Sequence, residues 1–226
     1  MRPLIIMNGE KIDWFHTVIR MLMYLAGVAV LALGMSLQTA SGLGVAALTC
    51  FATTLSMLTG KTLGFWITAT YVAYIVAQFA ILRREFQPRI LLELCFSTLI
   101  GGFTDFFMAV NPLHPAALPT QVETMLLSLA VTAFGVSLVV NMGVVPNAPD
   151  GLVQVIAEKI KRRFGDVKVV FDCSHVAVSL VLSLALMHNL GGFGVTTAIS
   201  ALFLGHVINI ANKLFAQRFV RAAFGK

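Results

Sequence analysis

Four long stretches without any Asp, Glu, Lys or Arg constrain this chain more than any other feature. They cover residues 21–60, 62–82, 124–149 and 173–212. A helix that crosses the hydrocarbon core of a bilayer needs about 20 predominantly apolar residues, and uncharged stretches this long are not typical of soluble proteins. Hydrophobic residues make up 58% of the chain and charged residues only 12%. The sequence therefore predicts an all-α integral membrane protein.

The first and last of these stretches are each too long for one transmembrane helix. Each contains 40 residues, and a helix of that length would extend about 60 Å across a hydrocarbon core of about 30 Å. Turn-forming residues interrupt the first stretch near 38–44 and the last at 188–194. These breaks predict six spans, at roughly residues 17–38, 62–82, 90–110, 122–142, 169–187 and 195–213.

The distribution of basic residues predicts how the helices are oriented. If the N-terminus is cytoplasmic, fifteen of the sixteen Lys and Arg residues lie on the cytoplasmic side and only Lys61 lies outside. An excess of Lys and Arg in cytoplasmic loops is the usual pattern of membrane proteins. We therefore expect a multi-pass protein of the cell membrane with both termini in the cytoplasm. The net charge of +6 follows from this topology, so nucleic acid is not an expected partner.

Two further segments, 41–60 and 143–165, are interpreted as half-helices that do not cross the membrane. Segment 41–60 is apolar enough to cross, but its crossing alone would move every later basic cluster to the outside. Segment 143–165 could restore the parity only by crossing as well, and it contains Asp150, Glu158 and four basic residues. We therefore expect two re-entrant or interfacial helices, since irregular backbone inside a membrane must be surrounded by protein or a wet cavity.

The two halves of the chain resemble each other weakly. Matching positions are Gly34-Met-Ser-Leu with Gly135-Val-Ser-Leu, Gly42 with Gly143, Gly60 with Gly165 after four extra residues, and Asp105 with Asn209. Each unit, about 17–110 and 122–213, holds three spans, and an odd number makes the second unit enter the membrane from the opposite side. The sequence thus predicts one membrane domain of two inverted-topology repeats, a plan that recurs in secondary transporters. The alternative is that duplication only builds a stable helix bundle.

Three short motifs resemble the bacterial YczE/YitT-type membrane proteins. They are Gly143-Val-Val-Pro-Asn-Ala-Pro-Asp150-Gly-Leu, Leu99-Ile-Gly-Gly-Phe-Thr-Asp105 at the end of the third span, and the Gly42-Leu-Gly44 break. The resemblance covers roughly residues 20–213. It departs from the family pattern at 45–48, where Val-Ala-Ala-Leu stands in place of a Pro-Trp-Asp-type motif. It implies a multi-span membrane architecture and names no substrate.

Polar residues within or beside the spans are the candidate site residues, because ionisable groups in a membrane are costly and usually functional. The predicted solute-binding residues, at the two breaks and on the third and sixth spans, are Ser41, Gly42, Gly44, Asp105, Gly143, Asn147, Asp150 and Asn209. The predicted proton- or ion-coupling residues are Asp172, His175 and His206. For Asp172 the alternative is a structural pair with Lys168, and Glu93 is expected to pair with Arg89 as a structural anchor.

The starts of the two half-helices predict the charge of a ligand. The second half-helix is expected to begin near Asn147, with Pro149 in its first turn and Asn147 or Asp150 capping its free amides. The first is expected to begin at the Gly42–Gly44 break and to face the second across a cavity near the midplane. Each N-terminus carries about half a positive charge, which favours an anionic or carboxylate-bearing ligand. Asp150 complicates this expectation, because it could occupy the same amides or bind a coupling cation.

The sequence contains no familiar catalytic or phosphate-binding motif, and Cys50, Cys95 and Cys173 lie far apart in apolar segments. We therefore expect neither an enzyme nor a cofactor. The predicted function is a secondary transporter or permease for a small solute, worked by rocking of one repeat against the other within the lipid bilayer. The alternative is a membrane accessory or assembly protein whose polar residues only hold it together. An apolar lateral opening would favour a lipid-like ligand, and a homodimer is left open.

Overall fold

The computed structural model describes residues 7–8, 11–85, 88–113, 115–145, 147–188 and 192–224. A two-residue antiparallel strand pair, β1 (Met7–Asn8) and β2 (Lys11–Ile12), precedes the helices. The helices are, in chain order, α1 (Trp14–Ser41), α2 (Ala47–Thr59), α3 (Leu63–Leu82), α4 (Leu92–Val110), α5 (Leu118–Met142), α6 (Ala148–Ile160), α7 (Phe164–Leu182) and α8 (Val195–Phe224). A π-helical turn, Ser183–Met187, continues α7, and the 3-10 turns Arg83–Glu85 and Pro88–Leu91 lie between α3 and α4.

Six of these helices (α1, α3, α4, α5, α7 and α8) are long and apolar enough to cross a membrane, judged by length and composition. This confirms the predicted helical class and the predicted number of long helices, the character of a multi-pass membrane protein. Some helices extend past the predicted spans: α7 begins at Phe164 rather than at 169, and α8 runs to Phe224 rather than to 213. The prediction followed the uncharged stretches, whereas a helix can continue beyond them into polar residues.

Asp13 fixes the start of α1 as its N-cap residue. Its carboxylate accepts a hydrogen bond from the backbone N–H of His16 at 3.1 Å and lies 2.7 Å from the Nδ1 atom of the same residue. These contacts favour the charged carboxylate, so they hold the pKa of Asp13 below its usual value. The first long helix therefore begins at a polar cap that satisfies one of its free amides.

α1 and α5 end in the same way, and each is followed by a short helix of the same length. α1 ends at Gly42 (φ 70°) and α5 at Gly143 (φ 57°), both in the left-handed conformation that glycine adopts without strain. The short helices α2 and α6 each contain 13 residues. The next long helices begin at Leu63 and Phe164. Each of these paired positions is separated by 101 residues, so this pairing requires no insertion, whereas the sequence comparison placed four extra residues before Gly165.

α1 and α5 pack closely along each other. A Cβ atom on Gly34 would lie 2.8 Å from the backbone N of Thr132, and one on Gly135 would lie 2.6 Å from the backbone N of Leu31. Small residues of this kind let helices approach closely in membranes. Gly34 comes after Leu31 on α1, whereas its neighbour Thr132 comes before Gly135 on α5. The two helices therefore run antiparallel.

Each short helix packs against a long helix from the other half of the chain. α2 packs on α7, where Cys50 Sγ and Thr54 Oγ1 lie 3.1 Å and 2.7 Å from the hydroxyl oxygen of Ser179. α6 packs on α3, where a Cβ atom on Gly151 would lie 3.2 Å from the side-chain amide of Gln78. The two short helices therefore tie the two halves of the chain together.

α3 and α4 form a tight pair. A Cβ atom on Gly64 or on Gly101 would overlap atoms of the facing helix. The Thr68 hydroxyl donates to the carbonyl oxygen of Ser97 at 3.0 Å, and the Gly64 N–H donates to Asp105 Oδ1 at 2.7 Å. Among the described residues, α7 and α8, the corresponding helices of the second half, make no comparable approach. A cavity lies beside them instead.

Candidate functional site

The cavity beside α7 and α8 has a volume of about 550 Å³ and is mostly apolar. Its walls are aliphatic side chains and one phenylalanine from α1, α4, α5 and α8, namely Leu31, Phe96, Val136, Val139, Leu204 and Ile208. Four lining residues are exposed, Val140 on α5, Val169 on α7, and Ala201 and Gly205 on α8. The opening of the cavity therefore lies between these three helices, and its rim is apolar.

Both short helices begin at this cavity. Ala46, Ala47 and Leu48 at the start of α2 line it, and so do Asn147 and Asp150 at the start of α6. The two starts come from opposite halves of the chain. α2 begins at Ala47 rather than at the predicted Gly42–Gly44 break, and that break does not line the cavity.

The N-cap side chains of the two short helices make no capping hydrogen bond, although Asn147 or Asp150 was predicted to cap α6. Neither N-cap residue, Ala46 or Asn147, makes a side-chain hydrogen bond to its own helix. The Ala46 N–H instead donates to Gln38 Oε1 at 3.0 Å. The Oδ1 atom of Asn147 is buried without a hydrogen-bond partner, so the prediction that Asn147 caps α6 is wrong. Pro149 does occupy the first turn of α6, as predicted.

Three charged side chains meet at the cavity wall. Lys168 Nζ lies 3.0 Å from Asp150 Oδ1 and 3.1 Å from Asp172 Oδ1. One ammonium group is therefore shared between two carboxylates that belong to α6 and α7. Among the described lining residues these are the charged ones, which leaves the cavity with one more negative than positive side chain.

The family comparison assigns the chain. The DUF6198 family, a family of unknown function, matches residues 18–213. The chain belongs to this family. No curated protein and no solved structure matches it. The stretch that matches DUF6198 contains every residue that lines the cavity, whereas the last turns of α8 lie beyond it.

The predicted solute-binding residues of this DUF6198 protein fall into two groups. Gly143, Asn147 and Asp150 line the cavity. Ser41, Gly42 and Gly44 do not, although they shape the break before α2. The Ser41 hydroxyl donates to the Gln38 carbonyl oxygen at 2.7 Å and accepts from the Leu43 N–H at 3.3 Å. A Cβ atom on Gly44 would lie 2.6 Å from the backbone N of Gly194, so this break packs against the start of α8.

Asp105 and Asn209, predicted as equivalent path residues, lie at different kinds of site. Asp105 accepts hydrogen bonds from the Thr62 hydroxyl and from the Gly64 N–H, both at 2.7 Å, and so binds the start of α3. Asn209 and the predicted coupling residue His206 are exposed on α8. None of the three residues lines the cavity.

The two predicted coupling residues of α7 have separate partners. Asp172 lines the cavity and pairs with Lys168. His175 Nε2 forms a short hydrogen bond with the Tyr74 hydroxyl, and its Nδ1 lies 2.7 Å from the Phe171 carbonyl oxygen. With Nδ1 protonated, the imidazole donates to that carbonyl and accepts from the Tyr74 hydroxyl. His175 thus links α7 to α3 rather than facing Asp172.

The sequence did not predict a second partner for Lys168 at the cavity wall or the hydrogen bond of the buried Glu93 on α4. Lys168 was expected only as an anchor for Asp172, because a spacing of four residues on one helix is visible in the sequence, whereas its contact with Asp150 depends on the fold. Glu93 is 1% exposed and accepts a hydrogen bond from Gln78 Nε2 at 2.8 Å. The side chain of Arg89, its expected partner, lies outside the described residues.

Proposed function

We propose that the chain is a secondary transporter or permease for a small solute, that the cavity is its solute site near the bilayer midplane, and that two inverted repeats rock to expose it alternately. The observation that carries this proposal is the cavity between the starts of α2 and α6. A cavity at the ends of broken helices from two repeats is where many secondary transporters bind substrate.

Reciprocal contacts support the inverted repeat. The offset of 101 residues that relates Gly34 to Gly135 also relates Leu31 to Thr132. Gly34 packs on Thr132 and Gly135 packs on Leu31, so each contact is the repeat copy of the other. Two equivalent helices that run antiparallel are what a pseudo-two-fold axis in the membrane plane would produce.

The short helices support the same relation. Cys50 and Gly151 differ by 101 residues, as do Ser179 and Gln78. Cys50 contacts Ser179 across the α2–α7 interface, and Gly151 contacts Gln78 across the α6–α3 interface. At 13 residues each, α2 and α6 are shorter than the roughly 20 residues that a span requires. We propose that they are re-entrant halves of the two repeats.

The proposed orientation places both termini in the cytoplasm and the chain in the cell membrane. The basic residues support it, because they cluster after α3, at the end of α6 and along the last turns of α8. Arg2 and Lys226, which count toward the same distribution, lie outside the described residues. Cysteine labelling tests the orientation: a single cysteine at Arg84 should be unreachable from outside in intact cells, and labelling there by an impermeant reagent would contradict it.

Transport is tested directly in reconstituted vesicles. Vesicles that contain the protein should accumulate at least one solute from a broad panel above protein-free vesicles, under a proton, sodium or solute gradient. Failure for every solute and gradient would contradict a transporter.

Disulfide cross-links test the rocking motion. In a background with Cys50, Cys95 and Cys173 replaced by alanine, the pair Val169→Cys with Ala201→Cys should close the cavity mouth and stop transport, and a reductant should restore it. The matched pair, Thr68→Cys with Ser97→Cys, holds the α3–α4 interface shut, and alternating access requires that it stop transport too. Full transport with either cross-link formed would contradict rocking.

The accessory or assembly protein is the second candidate, and the polar residues favour it in part. Asp105 binds the start of α3 and His175 joins α7 to α3, so both are used in holding the bundle together. The resemblance to the YczE/YitT-type proteins is compatible with either candidate. An accessory protein should show no solute uptake in the vesicle assay. It should instead be purified together with a specific membrane partner.

A further inference from the structure

We propose, resting on the transporter proposal, that the cavity takes an amphiphilic ammonium: an apolar body along the cavity walls and a protonated amine at Asp150 and Asp172. Lys168 then acts as an internal counter-ion that the amine of the ligand displaces. This ligand is opposite in charge to the anionic one that the helix N-termini predicted.

The charged side chains of the cavity favour a cationic ligand. Asp150 and Asp172 share one ammonium, at 3.0 Å and 3.1 Å. The positive end of α6 already has Asp150 in its first turn, so that helix end has its counter-charge. An unbalanced carboxylate in apolar surroundings is costly. A cation entering the cavity reduces this cost, whereas an anion increases it.

The hydrogen-bonding groups at the cavity wall also favour a ligand that donates hydrogen bonds. The Oδ1 atom of Asn147 is a buried acceptor without a donor. The Ser200 hydroxyl in the cavity wall already donates to the Thr197 carbonyl oxygen at 3.1 Å. Lys168 Nζ lies within ion-pair distance of both carboxylates but makes no hydrogen bond with them, and Asp172 Oδ1 is likewise without a donor. Asn147 and Asp172 therefore each keep an unused acceptor beside the ammonium group. A primary ammonium has three donors and no acceptor, and so complements such a set.

Lys168 itself shows which chemical group these carboxylates accept. Its side chain is an alkylammonium on a four-carbon stem, and its Nζ atom occupies the space between Asp150 and Asp172. The rim residues Val140, Val169, Ala201 and Gly205 are apolar and exposed, so an amphiphile could enter sideways from the lipid. A hydrophilic cation would gain nothing from these walls.

Binding of two probes of equal chain length tests the proposal. The protein in lipid nanodiscs should bind n-octylammonium at least about tenfold more tightly than n-octanoate, which is about 1.4 kcal/mol. Asp172→Asn should weaken octylammonium binding by about tenfold. Asp166→Asn removes the same charge from an exposed position of α7 outside the cavity, and should leave binding unchanged. Tighter binding of octanoate, or binding of neither probe, would overturn the proposal.

Removal of the Lys168 charge should change the affinities for cationic and anionic ligands in opposite directions. Lys168→Gln should raise the affinity for octylammonium, because the internal competitor is gone, whereas an anion site would lose the cationic side chain found among its described lining residues. If this variant does not fold, the double variant Lys168→Gln with Asp150→Asn avoids the repulsion between two unpaired carboxylates. It should bind octylammonium at least as tightly as the natural protein, and loss of binding in the double variant would overturn the proposal.

A transport measurement keeps this inference apart from the transporter proposal. n-Octylguanidinium stays charged at neutral pH and keeps N–H donors, so its uptake into vesicles reports on the protein rather than on leakage of a neutral amine. Octylammonium binding without uptake of any probe or panel solute would support the ligand class and contradict transport. Uptake of other solutes without octylammonium binding would support transport and overturn the ligand class.

Discussion

Two helix pairs, α3 with α4 and α7 with α8, differ in how closely they approach. α3 lies tightly on α4, and Gly64 and Gly101 face each other with no room for a side chain. α7 and α8 also carry glycines, Gly165 and Gly205, yet a Cβ atom on either would have open space around it. The same small residues are therefore used for close packing in one half and left unused in the other.

The rocking proposal accounts for this difference as a change of conformation. Glycine at Gly165 and Gly205 presents no steric barrier to an approach of α7 and α8. Under the rocking proposal, the gap is one state of an interface that also closes, and the α3–α4 interface would then open. If the α7–α8 interface closes while the α3–α4 interface opens, the opening moves from one side of the site to the other.

The first prediction compares glycine replacements at the two interfaces and has the largest expected effect. Gly101→Leu should be destabilising by about 1–3 kcal/mol or more, because its Cβ atom would overlap the facing helix. Gly205→Leu should change stability by less than about 0.5 kcal/mol, since nothing lies within 4 Å. Thermal melting in nanodiscs measures both.

Transport adds a second readout for the same pair. Gly205→Leu should stop transport while it leaves the fold intact, because the leucine would prevent closure of α7 on α8. A normally transporting Gly205→Leu protein would contradict the closing of this interface. Equal melting temperatures for the two variants would show that the interfaces do not differ in packing.

The sequence predicted the long helices and the breaks, because charge-free stretches and glycine clusters are local signals. It also predicted Asp150 and Asp172 as site residues. It did not predict that Lys168 joins them, because Asp150 and Lys168 lie on different helices. It treated Asp105 and Asn209 as alike, because pattern matching detects equivalent positions but not whether an interface is closed or open.

The second prediction is that Asp105 and Asn209 contribute unequally to stability. Asp105→Ala should cost about 0.5–2 kcal/mol, the usual range for loss of a helix cap, because Asp105 accepts hydrogen bonds from Thr62 and from the Gly64 N–H at the start of α3. Asn209→Ala should change the free energy of unfolding by less than about 0.5 kcal/mol, since Asn209 is exposed. Equal losses for both variants would mean that α8 also binds the start of α7 through Asn209, and the contrast between the interfaces would be weaker than the structure indicates.

The smallest expected effect comes from one hydrogen bond that only the closed interface has. The Thr68 hydroxyl donates to the carbonyl oxygen of Ser97 at 3.0 Å. Under the proposed repeat, the position that corresponds to Thr68 is Val169, whose side chain has no donor. Thr68→Val should therefore cost about 0.6 kcal/mol, the average for such bonds between membrane helices. Val169→Thr should leave the melting temperature unchanged while the interface is open, but its new donor should favour closure of α7 on α8. The rate at which a thiol reagent labels a single cysteine at Val140, an exposed lining residue on α5, measures that closure, and it should be lower with Val169→Thr than without it. An unchanged rate would show that this hydrogen bond does not decide which interface opens.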